Sequence, residues 1–83
     1  MTPIDEHLAW MMMHAVYYEP VHSVIRKRGK IYDMYADKRS HRKIISRAQL
    51  AHMTTEDFIV WLHGRSPIAR QLFPDPSVYR KPV

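Results

Sequence analysis

Apolar positions fall along the chain in four blocks, separated by polar runs or by proline. In the first block Ile4, Leu8, Met11, Ala15 and Tyr18 recur at helical spacing. Ala9, Met12 and Val16 widen that face, while Trp10, Met13 and Tyr17 lie on the other side. The spacing predicts a helix from about Pro3 to Tyr18. Thr2 suits the cap and Pro3 the first turn, Asp5 and Glu6 sit where the helix dipole favours anions, and Pro20 stops the run. A helix that is apolar nearly all round is either buried on every side or covers a partner. Core packing is the expectation for Met11-Met12-Met13, because methionine fills irregular gaps. A homodimer interface through Trp10, Met13 and Tyr17 is the sharper alternative, since 83 residues offer little to bury a whole helix.

The second block supports two patterns. Val21, Val24 and Ile25, then Ile31, Tyr32 and Tyr35, fit a helical period, with Arg26-Lys27-Arg28 and Gly29 suited to a helix C-terminus. The same residues also fit two strands, Val24–Arg26 and Ile31–Tyr35, with Gly29 taking the left-handed position of a bulged turn. Helix is preferred, and a β-hairpin within residues 22–36 stays open beside it. The third block follows the polar run Asp37–Lys43. Ser40 would cap a helix reaching about His52, with Ile44, Ile45, Ala48 and Ala51 inward. Lys43 and Arg47 would then share one face, with Arg39 and Arg42 nearby, as a compact basic surface.

Thr54 followed by Glu56 and Asp57 marks another helix start. Phe58–Leu62 is apolar throughout, and Gly64 is the expected end. This helix is expected at the centre of the core, with Phe58 and Trp61 well buried. Ser66-Pro67 opens a further short helix, with Ile68, Leu72 and Phe73 inward, closed by Pro74. Residues 75–83 contain Pro76 and Pro82 and are expected to form an extended tail. The expected fold is mainly α: one domain of four to five short helices over residues 1–74.

Charge sharpens this picture. Arg26, Lys27, Arg28, Lys30, Lys38, Arg39, Arg42, Lys43 and Arg47 are nine of the chain's 13 lysines and arginines, opposed within their stretch only by Asp33 and Asp37. Residues 1–25 hold three acids and no Lys or Arg, so the formal +5 arises in one central quarter of the chain. Surplus solubilising charge has no reason to collect in this way. The clustering and a pI near 9.8 favour an anionic partner. The chain has no cysteine, which excludes disulfides, Cys-based zinc sites and thiol nucleophiles. No apolar run approaches the ~20 residues a spanning helix needs, and the acidic first turn is unlike a secretory signal. The expectation is a soluble cytoplasmic protein with no membrane partner.

Candidate chemistry is sparse. His7 and His14 are seven apart, about 10 Å along a helix, too far to share one ion readily. His52 and His63 lie near the ends of successive helices, but no helical zinc spacing is present, so no metal and no cofactor are expected. Only Gly29 and Gly64 are glycines, so there is no phosphate-cradling loop. Asp33 and Asp37 amid cations are more simply solvated ion pairs than a nuclease centre. RAQLA and WLHG, within Ser46–Leu72, resemble a repressor-type helix-turn-helix. The segment between them is about three residues shorter than that family has, and Phe58-Ile59-Val60 is apolar where a recognition helix is polar, so no base-contacting residue is carried over.

The leading expectation is a small, non-enzymatic, nucleic-acid-binding regulatory or accessory protein. Arg26–Arg47 would meet phosphates, with Tyr32, Tyr35 and His41 placed to stack or hydrogen-bond. The alternative is a protein-binding inhibitor or adaptor of mobile-element or phage type, docking its basic segment on an acidic or nucleic-acid-binding face of a larger complex. A small basic ribonuclease using His41, Arg42 and Tyr35 is third.

Overall fold

Alternation prevails over helical spacing between Pro20 and Ser46. The computed structural model describes residues 2–79. It shows a mixed α/β fold, 46% helical and 27% strand, which overturns the mainly helical expectation. The order is α1 (Glu6–Val16), β1 (Pro20–Lys27), β2 (Lys30–Asp37), β3 (Arg42–Ser46), α2 (Arg47–Leu50), α3 (Thr55–Arg65), α4 (Pro67–Leu72) and a 3-10 turn (Pro76–Tyr79). The three strands form one antiparallel sheet in the order β1-β2-β3.

The hairpin forms where helix was preferred because its β-branched and aromatic side chains pack well on a pleated surface. Arg28 and Gly29 have φ of 53° and 76°, the pair of left-handed residues that a two-residue type I′ turn demands. Lys27 and Lys30 close it in register, so the turn is tight rather than bulged. The bulge lies instead in β3. Tyr35 pairs with Ile45 and Ala36 with Lys43, which leaves Ile44 as the extra residue. Both isoleucines turn inward as a result, at 5% and 2% exposure. Two adjacent apolar residues facing one way imitate a helical pattern, which is why residues 41–52 read as a helix. The helix that does follow is four residues long, and Ser46, not Ser40, caps it in a reciprocal box with Gln49.

The outer boundaries shift for local reasons. Asp5, not Thr2, caps α1 by accepting from the Leu8 N–H at 3.0 Å. Ile4 stays outside the helix, buried, and donates its N–H to the Met53 carbonyl at 2.7 Å. α3 begins as expected at Thr54, which exchanges bonds of 3.1 and 3.2 Å with Asp57. It runs through Gly64 and stops at Ser66, whose extended backbone is what a following proline imposes. Residues 76–79 curl against α3 rather than extending; residues 80–83 lie outside those described.

The core joins Ala9, Met12 and Met13 of α1 to Tyr35, Ile44 and Ile45 of the sheet and to Leu50, Phe58, Ile59, Leu62 and Ala69. Phe58 is fully buried, whereas Trp61 is only partly buried, with the Arg65 guanidinium 4.9 Å from its ring centre. Beyond the Met34–Ser46 pair the sheet loses its third strand, and β1 and β2 continue alone to the turn. This arm explains a radius of gyration of 13.2 Å, where a compact chain of this size has about 11.5 Å.

Candidate nucleic-acid interface

Cross-strand pairing sorts the arm's side chains onto two faces. The inner face carries Val24 and Arg26 opposite Asp33 and Ile31, and nearer the root His22 opposite Tyr35. The outer face carries Ser23, Ile25 and Lys27 opposite Met34, Tyr32 and Lys30. At the tip Arg26, Lys27, Arg28 and Lys30 gather around the tight turn, all exposed, and none has an ion-pair partner among the described residues.

The nine central cations therefore do not form one surface. Lys38 and Arg39 belong to the turn at the other end of β2 and Arg42 opens β3 beside it, seven residue steps or about 23 Å from the tip. Arg39 lies over the Tyr18 ring at 4.6 Å, and Asp37 Oδ1 accepts from its backbone N–H at 3.1 Å. His41 is exposed in that same turn with φ of 58°. Lys43 stands on the outer sheet face opposite Ala36. Arg47 turns away to the inner side, so the helical face that would have joined it to Lys43 does not exist. Asp33 and Asp37, four apart on a strand, are about 13 Å from one another, too far to share a metal.

Arg47 belongs to a cluster that roots the arm. Its Nη2 donates to Glu6 of α1 at 3.0 Å, its Nε lies 2.9 Å from the other Glu6 oxygen, and its Nη1 lies 3.9 Å from Asp33. The hydroxyl of Tyr35 donates to the same Glu6 carboxylate. That bond, together with Arg47, holds the Glu6 carboxyl below its ordinary range. Burial first, then the bond to Glu6, pushes the Tyr35 phenol up to about 12. His22 completes the group, 3.8 Å from Asp33. Tyr35 is thus an anchor and not a stacking surface, leaving Tyr32, 43% exposed, as the arm's available aromatic. Sequence reasoning missed Glu6 in this role because its partners lie 29 and 41 residues away. It also missed Ile25 and Met34 beside Tyr32, which the alternation 23, 25, 27 against 30, 32, 34 would have shown once the hairpin was adopted.

The remaining candidates separate in space. Met13 is wholly inside the core and Tyr17 is partly buried, its phenol raised by that burial, so the proposed α1 interface is not one surface. Trp10 is 38% exposed, between His7 and His14, with ring centres 6.4 and 3.9 Å away. The His63 ring nitrogen Nε2 donates to the Phe73 carbonyl at 2.6 Å. Among the described residues no three His, Asp or Glu side chains gather as a metal would need, and no helix is long and apolar enough to cross a membrane. A hollow of about 480 Å³ lies between the starts of α1 and α3. The caps there, Asp5 and Thr54, each already accept from one first-turn N–H, of Leu8 and of Asp57. No family model matches the chain, and neither a curated protein nor a solved structure matches it.

Proposed function

We propose that the protein binds nucleic acid through the β-arm, as a small regulatory or accessory protein. The observation that carries this is the tip: Arg26, Lys27, Arg28 and Lys30, unpaired, on a two-stranded ribbon that stands clear of the core. Four like charges within one turn repel one another and lower the stability of the free protein. A polyphosphate relieves that repulsion, and each neutralised phosphate releases counterions. The rooting cluster of Glu6, Tyr35 and Arg47 ties the base of the arm to α1, which directs the basic hairpin away from the core.

The test is fluorescence anisotropy of labelled single-strand and duplex oligonucleotides, starting near 50 mM salt with micromolar protein. Binding that weakens steadily with salt supports the reading, and no binding of either form at that salt rejects it. One observation favours the protein-docking alternative: Val24 and Ile31 are 59% and 63% exposed on the inner face of the arm, beside the free edge of β1. An apolar edge strand is a template for strand addition by another chain. In that case nucleic-acid binding fails while Ile31→Lys abolishes capture of one defined protein.

A further inference from the structure

We propose that the outer face of the sheet is a stacking site for an unpaired base, so that the ligand of the arm is single-stranded nucleic acid; this rests on the nucleic-acid reading above. A shallow hollow of about 260 Å³ lies on that face, lined by Ile25, Lys27, Tyr32, Met34 and Lys43. Its lining comes entirely from the three strands, and no helix contributes to it. The hollow is below the range of sites that enclose a whole drug-sized ligand, and suits a single flat ring system.

The chemistry of the lining is that of a base on a strand. Tyr32 offers an exposed aromatic ring, and Ile25 and Met34 flank it as an apolar floor. Stacking on such a ring is open to any base, because every base has a π-face. It is closed to a base inside a duplex, whose faces are already covered by its neighbours. Lys27 from β1 and Lys43 from β3 line the hollow from the two edge strands of the sheet. The charge is one-sided. Every acid of the three strands, Asp33 and Asp37, lies on the inner face, and the outer face carries lysines without a carboxylate. A phosphate backbone crossing the sheet over Tyr32 therefore meets cations on both flanks and no opposing charge.

The test compares a labelled oligothymidylate of about twelve nucleotides with a duplex hairpin of equal length, at equal salt. The parent is expected to prefer the single strand. Tyr32→Ala and Tyr32→Leu are expected to weaken single-strand binding by about 5- to 150-fold, the loss of one stacked base, while Tyr32→Phe keeps it. Lys43→Ala is expected to flatten the single-strand log–log salt slope by about 0.7. Because Tyr32→Leu preserves apolar cover, it tests the flat ring even if Tyr32→Ala fails to fold. Equal affinity of the parent for strand and duplex, or parent-like binding by Tyr32→Leu, overturns the stacking site and leaves the arm reading standing. Failure of the parent to bind either oligonucleotide overturns both.

Discussion

Tyr35 does at the scale of one residue what the arm needs as a whole. Its ring is buried in the core, and its hydroxyl, with Arg47, fixes Glu6. Tyr35→Phe keeps the packing and removes one hydrogen bond to a charged acceptor. The expected loss is about 1–2 kcal/mol in urea unfolding. The pH dependence has two limbs. Glu6 is lowered in the folded state, so its contribution is full above the ordinary value of 4.5 and is lost as pH falls through the depressed one. Tyr35 is raised from 10.0 to about 12. Its contribution is full below pH 10 and is lost as pH climbs from there toward 12. Stability measured against pH is expected to show less loss on both limbs in Tyr35→Phe than in the parent. The core gives a second residue-scale prediction. Phe58→Ala is expected to cost about 3–5 kcal/mol, close to the whole stability of so small a domain. Trp61→Ala costs less, because Trp61 keeps part of its surface in water, and urea midpoints for the two variants check the order.

At the scale of elements the two glycines make opposite predictions. An added Cβ meets nothing within 4 Å at either position, so only the backbone decides. Gly29 has φ of +76°, and Gly29→Ala is expected to destabilise by about 1 kcal/mol. Gly64 lies inside α3, so Gly64→Ala is expected to stabilise by about 0.5–1 kcal/mol. Thermal melts of the pair give both signs at once. The same elements show what was legible in the sequence. Thr54 with Asp57, and Ser66-Pro67, mark their helices correctly because caps and proline act through local backbone geometry. Gly29 reads first as following a helix end and otherwise as part of a bulged turn, and neither is the tight two-residue turn it forms with Arg28. Residues 21–35 were ambiguous because their apolar positions satisfy both a period of 3.6 and a strand pairing. What separates the two is the cross-strand partner, which no local window contains. Residues 41–52 misled for a different cause: the Ile44 bulge breaks the alternation that would have announced β3. Of the candidate site, the charge cluster was legible as composition. Its division between the two ends of a hairpin was not, since that follows from pairing.

At the scale of the molecule, the fold sorts charge by place. Four cations occupy the tip, three lie at the opposite end of β2, Lys43 lies on the outer face, and Arg47 is spent on Glu6 and Asp33. The central claim is that the tip, with Lys43, does the binding. If these five cations meet phosphates, the log–log salt slope for a single strand is about −3.5. The decisive measurement is that slope in the parent and in two charge-removal variants, with folding checked by circular dichroism. One variant joins Arg26→Gln, Lys27→Gln, Arg28→Gln and Lys30→Gln; the other joins Lys38→Gln, Arg39→Gln and Arg42→Gln. The tip variant is expected to fall to a slope of about −0.7, and the root variant to stay near the parent value. Equal loss of slope in the two, or a tip variant that binds like the parent, would contradict the account.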